Sequence, residues 1–425
     1  MNFKPLIYSV LAGCLVYLFI VNFSLWFWPE LNSDHAIHIL MTESFNFSKD
    51  WYYWGQNRLG SFLPLVGHLI YLLGFSAFNA AGIVQLIIIA AIAFFLRRLI
   101  KDGFWFLVAL SLLLFPIYPF WMQLSLGHPY LAQFFFILFA FWLFFSDNIR
   151  DSIRYGFSPL LLMFGIWSSE LTVAAALALC IINVKTISKA FRSHWYLMIL
   201  SLGLGIKLFL EFKRRSVKDE KYEELLASFS DFGESLFNQF GQLKFVLDFN
   251  GSKVLNSAIA ALIILLLLFN IVGAIKFKRR PSPLVQTLLL STIFSILIIH
   301  ASAWSHLMGM PHRYFTMPYF LGVLGLIFWT KDLWEGAIVK YSLGTGLAVL
   351  IIFASISFNS KFETGAVNRI RVEEAEALIS NVFVENPQVE SFTIIGSYWN
   401  THLLDALSDK VSAIPFKGEI CGIWT

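Results

Sequence analysis

Cysteine, charge and glycine-rich phosphate loops are scarce in this sequence, and each shortage closes off a class of function. Three cysteines occur in 425 residues. Cys14 and Cys180 fall inside apolar runs and Cys421 stands alone near the end, so there is neither a disulfide framework nor a zinc-ribbon spacing. Charged residues make up 14%, against about a quarter in an ordinary soluble domain. The net charge of +4 is small, and the basic residues sit in short clusters between apolar runs. That pattern sets membrane topology and does not make a nucleic-acid stripe. No GxxxxGK[ST] or GxGxxG run occurs, which weighs against a donor bound as ATP or a nucleotide sugar. Internal repeats and low-complexity tracts are missing as well.

What remains is apolar. Hydrophobic residues reach 58% and the mean hydropathy is +0.70, so the chain reads as a polytopic membrane protein. Windows of spanning or near-spanning length fall at 6–28, 78–97, 104–121, 130–146, 157–184, 195–210, 254–275, 284–303, 313–330 and 338–358. The first lacks a small-x-small cleavage site and is long enough for about 30 Å of hydrocarbon, so a retained anchor is expected. The window at 157–184 is interrupted by Trp167-Ser168-Ser169-Glu170, the pattern of two short helices with a polar kink facing a cavity. Residues 61–75 contain Pro64 and His68 and are too short for a full crossing, so an interfacial helix is expected.

Lysine and arginine give the orientation. With a cytoplasmic N-terminus, the clusters at 97–101, 150–154, 185–192, 276–280 and 331–340 fall inside, as the positive-inside rule requires. Residues 29–60, 122–129, 211–253, 304–312 and everything after 359 then fall outside. Lys213-Arg214-Arg215 dissents, although long loops obey the rule weakly. Within 211–253, Phe229, Phe232, Leu236, Phe237 and Phe240 recur at spacings of three and four, which predicts an amphipathic helix. After Phe358 the pattern predicts a helix over 369–384 and strands at 391–395 and 411–414, a tail too short for a complete domain.

The chemistry concentrates at the outer edge. Asp34 follows Trp26-Phe27-Trp28-Pro29 closely, so it is expected at the water-membrane boundary, where a partly desolvated carboxylate can act as a base. A helix starting near Ser33 makes Asp34 and His38 neighbours on one face, with His35 between them. A cap or first-turn acid is the competing reading of Asp34. The run from Asp50 to Ser61 supplies Tyr53, Trp54, Gln56 and Arg58. Aromatic faces and amides bind sugars, and the Arg58 guanidinium suits a phosphate by its planar fork. The alternative is an interfacial aromatic belt with Arg58 reaching lipid headgroups. Glu170 is either a functional acid at a cavity or a structural hydrogen bond holding the break. His128 stands where it can touch substrate or a metal, or simply be solvated. His312-Arg313-Tyr314 opens a span from outside, with Arg313 binding a phosphate or anchoring the helix at headgroup level.

These residues resemble the GT-C membrane glycosyltransferases, especially the protein O-mannosyltransferase and lipid A aminoarabinose transferase group. Asp34 with its helix, Lys49-Asp50-Trp51, the run from Tyr52 to Ser61, Leu72-Leu73-Gly74-Phe75-Ser76 and a helix ending Arg97-Arg98-Leu99 carry the likeness. A second echo lies at 311–318. Where the family often has a second acid beside the first, this chain has His35.

The resemblance implies an all-α polytopic membrane protein with about ten to twelve transmembrane helices and a short C-terminal α/β extramembrane tail. Residues 1–358 would form the catalytic domain, with external loops at 29–60 and 211–253, and residues 359–425 the extracytoplasmic tail. It implies a bacterial inner (plasma) membrane location with the site facing the periplasm or exterior. The expected activity is inverting transfer of a sugar from a polyprenyl-phosphate donor to an acceptor hydroxyl on a lipid, glycan or protein. Asp34 would be the catalytic base. Substrate contacts would come from His35, His38, Tyr53, Trp54, Gln56, Arg58, His128, Glu170, His312, Arg313 and Tyr314. No cofactor is required by this chemistry, and a divalent metal ion stays open. Two other classes compete: a transporter or flippase of a lipid-linked saccharide, and a non-catalytic membrane subunit. A transporter places its charges near the bilayer midplane, a transferase at the aqueous edge.

Overall fold

The computed structural model describes residues 33–54, 58–114, 129–216, 226–246, 254–307, 309–310, 312–334, 364–396 and 410–415, with isolated residues elsewhere. The expected spans at 6–28 and 338–358 lie essentially outside the described residues. Among those described, the chain is mostly helical, with fourteen α-helices.

The Asp34 helix, α1, covers Ser33–Glu43 and the short α2 covers Phe62–Tyr71. α3 (Ala77–Leu99) begins with the Ser76 side chain accepting from the Asn79 amide at 3.3 Å, an N-cap. It ends where Arg97 Nη1 donates to the carbonyls of Ile100 and Lys101, both at 2.9 Å, meeting acceptors that a helix end leaves open. α4 (Gly103–Leu114) and α5 (Tyr130–Phe145) follow. α6 (Asp151–Ser168) and α7 (Thr172–Ile182) replace one long window with two helices, parting at the serines as their polarity predicts.

α8 (Val184–Arg215) differs from expectation. The basic stretch 185–192, placed between two apolar windows as a cytoplasmic cluster, is helical and joins the following span across a kink at His194, where φ is −133° and ψ 22°. Polarity interrupts the hydropathy there, but no glycine or proline interrupts the backbone, and lysine, alanine and arginine are good helix formers. α9 (Phe229–Val246) is the helix anticipated from the phenylalanine spacing. α10 (Val254–Phe277), α11 (Pro283–Ala301), the short α12 (Ala303–Leu307), a 3-10 turn (His312–Phe315) and α13 (Thr316–Leu333) follow.

α3, α8 and α11 are long and apolar enough to cross a membrane. Only 11% of the apolar window of α8 is buried. Leu200, Leu204, Ile206 and Leu210 are all exposed on it, a surface suited to lipid and not to water. The core is aromatic where α3 meets α5, with Phe95 stacked on Phe139 at 4.4 Å between centroids. Polar pins join other helices. Asn270 on α10 donates to Thr330 Oγ1 on α13 at 2.9 Å, and Asn183 donates to Thr287 Oγ1 on α11 at 3.1 Å.

In the tail, α14 (Thr364–Glu385) precedes β1 (Phe392–Gly396) and β2 (Val411–Pro415). The two strands pair in parallel, Phe392 against Val411 through Gly396 against Pro415.

Candidate functional site at one end of the bundle

Asp34 occupies the first turn of α1, where the helix dipole favours a carboxylate. Its Oδ2 lies 3.7 Å from Arg313 Nη1, and both side chains are about one-third exposed (34% and 35%). Arg313 is held by the 3-10 turn before α13, which Thr316 Oγ1 closes by donating to the Arg313 carbonyl at 2.7 Å. One helical turn from Asp34, His38 is fully buried, and its Nδ1 meets the Tyr53 hydroxyl at 3.2 Å. Burial, and then the negative charge of Asp34, push the Tyr53 phenol well above its ordinary range. Tyr53 therefore keeps its proton and is able to donate it to His38.

Arg58 comes from the other side of the 50–61 loop. Its guanidinium carbon lies 5.5 Å from the centre of the Trp304 ring, a cation-π distance. Trp304 Nε1 donates to the Tyr314 hydroxyl at 2.8 Å. Arg313 is within hydrogen-bonding reach of the same hydroxyl and interacts electrostatically with Asp34 and Tyr130. Four separate stretches thus converge: α1, the 50–61 loop, the start of α5 and residues 304–314. Two guanidiniums and one carboxylate leave the cluster positive, suited to an anionic group beside a proton acceptor.

The loop is folded by its own residues. Asp50, 4% exposed, accepts from the Asn46 amide at 2.9 Å and from Trp54 Nε1 at 3.1 Å. The Ser61 hydroxyl donates to the Asp50 carbonyl. The stems pair through Tyr52 and Gly60, and the Tyr53 amide donates to the Leu59 carbonyl at 3.0 Å. This hairpin is docked on the break between α6 and α7. The Gly60 amide donates to the Ser168 carbonyl at 3.2 Å, and Trp167 Nε1 donates to the Trp51 carbonyl at 2.8 Å. A Cβ on Gly60 would lie 2.5 Å from the Trp167 carbonyl oxygen, so only glycine allows this approach.

Successive residues of an extended stem point to opposite sides, and the loop uses both. Tyr53 faces His38 and feels Asp34. Tyr52 is buried too, and its phenol is raised by burial and then by the charge of Glu170. Glu170 therefore belongs to the Tyr52 side, where it forms an ion pair with Lys213. Beside it, Trp51 stacks on Phe212 at 4.1 Å.

Of the residues singled out from the sequence, Asp34, His38, Tyr53, Arg58, Arg313 and Tyr314 are brought together. Trp54 is tied to Asp50, and His35 is buried, 1% exposed, on α1. Gln56 and His128 lie outside the described residues, as does the side chain of His312. Trp304 and Lys213 were missed. The only signals were an aromatic residue and a basic cluster in segments already assigned to the outer side. Among the described residues, no three His, Cys, Asp or Glu side chains are grouped to hold a metal ion. No protein-family model matches this chain, and no curated protein does.

Proposed function

We propose that the protein is a polytopic membrane glycosyltransferase of the GT-C type, with about ten to twelve spans. It transfers a sugar from a polyprenyl-phosphate donor to an acceptor hydroxyl at the extracytoplasmic membrane surface, with inversion. The observation that carries the reading is the convergence of Asp34 with Arg313 and Arg58 beside aromatic side chains.

A polyprenyl-phosphate sugar brings its own leaving group. The acceptor oxygen attacks the anomeric carbon as Asp34 takes the hydroxyl proton. The bond from that carbon to the phosphate oxygen breaks, and its electron pair leaves on the phosphate. Arg58 and Arg313 offset the charge that develops there. The ion pair with Arg313 holds the Asp34 carboxylate in place. Exposed apolar surface on helices such as α8 lets the lipid tail remain in the bilayer while the phosphate reaches the aqueous edge.

Purified protein incubated with polyprenyl-phosphate sugars and a hydroxyl acceptor should release polyprenyl phosphate. If wild-type protein releases none from any donor but moves a lipid-linked saccharide across reconstituted vesicles, the transporter reading takes its place.

A further inference from the structure

Gln133 is a buried polar group for which the arrangement above has no use. It lies on α5, whose sequence Tyr-Leu-Ala-Gln-Phe-Phe-Phe-Ile-Leu-Phe-Ala-Phe-Trp-Leu-Phe-Phe contains no other amide. The side chain is 0% exposed, and neither its carboxamide oxygen nor its nitrogen has a hydrogen-bond partner among the described residues. An unmet buried polar group costs on the order of 1–3 kcal/mol. Leucine would fill the same space without that cost, so the amide calls for a partner that comes and goes.

Position says what the partner is. Residues three apart share a helix face, and three residues before Gln133 is Tyr130, whose phenol interacts with Arg313, Tyr314 and Asp34. Gln133 therefore lies one turn deeper than the ionic cluster. α3 runs alongside α5, Phe95 stacking on Phe139, and both helices lead away from that end of the bundle. Ten residues before Phe95, or about 15 Å along the helix, is Gln85, also fully buried. That puts a second carboxamide near the depth of Tyr130, about one turn above Gln133. A carboxamide offers one donor edge and one acceptor in a plane and no charge. It fits ring hydroxyls, whereas a phosphate is served by the guanidiniums.

We propose that Gln133 is a specificity-determining residue that hydrogen-bonds the hydroxyls of the donor's sugar ring, one turn beneath the guanidiniums that hold its phosphate. This rests on the glycosyl-transfer reading, and the test separates the two. Wild type and Gln133→Leu are purified in detergent. Their melting temperatures and their affinities for dodecyl phosphate and for dodecyl-phosphate esters of mannose, glucose and galactose are measured.

Wild type should bind at least one glycosyl ester more tightly than dodecyl phosphate itself. Gln133→Leu should melt no lower than wild type without ligand and bind dodecyl phosphate equally. It should lose the sugar's added affinity by about tenfold or more, as sites built to hydrogen-bond a hydroxyl do when the pairing is removed. The proposal is overturned if the leucine variant keeps that increment, or if it melts lower and weakens for both kinds of probe, the mark of a structural role. It is equally overturned if wild type binds dodecyl phosphate but gains nothing from any sugar. A wild type that binds none of the probes overturns the transferase reading and this proposal with it.

Discussion

At Asp34 one carboxylate can play two roles, and substitution separates them. As a helix cap it would be replaceable by asparagine, which keeps size and hydrogen bonding. As a proton acceptor it would not. Asp34→Asn should leave folding and donor binding nearly intact and lower turnover by about 10² to 10⁴, the usual worth of a positioned base. A variant that turns over normally with saturating donor would return Asp34 to the status of a cap. Arg58 should respond differently, because in the proposed mechanism its charge would serve the phosphate in both the bound and the reacting state. Arg58→Ala should weaken donor binding by about tenfold to a hundredfold, the scale of a lost hydrogen bond to a charged group. Arg58→Lys should recover only part, since an ammonium lacks the planar fork over Trp304. Titration of donor affinity in the three proteins decides this. Tyr52 and Tyr53 make a different kind of prediction. Both phenols hold their protons well above the ordinary range in the folded protein, whereas an unfolded chain releases them near pH 10. Their contribution to stability is therefore full below about pH 10 and is lost as pH rises beyond it. Tyr52→Phe should flatten part of that fall in a melting-temperature series from pH 8 to 11. The Tyr52 hydroxyl has no hydrogen-bond partner among the described residues, so the substitution should cost little at neutral pH.

At the scale of elements, the 50–61 hairpin depends on close contact with the α6–α7 break. Gly60→Ala would press a methyl into the Trp167 backbone and should destabilise by about 1–3 kcal/mol, as overpacking does. Faster proteolysis within the loop is the readout, and unchanged cleavage would show that the break yields. Lys213→Ala should matter less to stability, because the pair with Glu170 is more than one-third exposed on the acid side and such pairs contribute little. These elements also mark what could be read beforehand. α1 from Ser33, the break after Ser168, the α9 helix and both tail strands are written in local pattern: caps, polar interruptions and period. The pairings were out of reach. Nothing near Arg58 announces Trp304, and nothing near Asp34 announces Arg313, because those contacts exist only once distant segments are stacked by the bundle. Glu170 could be seen as costly in an apolar stretch, yet its partner Lys213 was hidden in a cluster that seemed merely to break the charge rule. The basic segment at 185–192 failed for another reason, since hydropathy measures solvent preference and not backbone conformation.

For the whole molecule, that dissenting cluster finds its place. Arg215 Nη1 reaches the Phe47 carbonyl at 3.5 Å, and Lys213 holds Glu170. The end of α8 therefore belongs with the Asp34 loop. Residues 226–227 pair with 301–302, and residues 304 and 313 with 58 and 34. The described parts of the first loop, of 211–253 and of 304–312 thus gather at one end of the bundle. The tail is expected on that side too. With the native cysteines replaced, single cysteines at positions 48 and 408 should both react with an impermeant maleimide added from outside. Labelling from opposite faces would overturn the topology.

The kink in α8 has a further consequence. The twenty residues from His194 to Lys213 are nineteen steps of about 1.5 Å, a rise of about 28 Å, close to the thickness of a typical hydrocarbon core. One end of this rod is the kink and the other is pinned to Glu170, whose backbone neighbours carry the hairpin. On the reading that α8 crosses the bilayer, the rod matches one hydrocarbon core in length. In vesicles of short- or long-chain lipid it has to tilt or shift against the hairpin, so turnover should peak at an intermediate acyl length and fall on both sides.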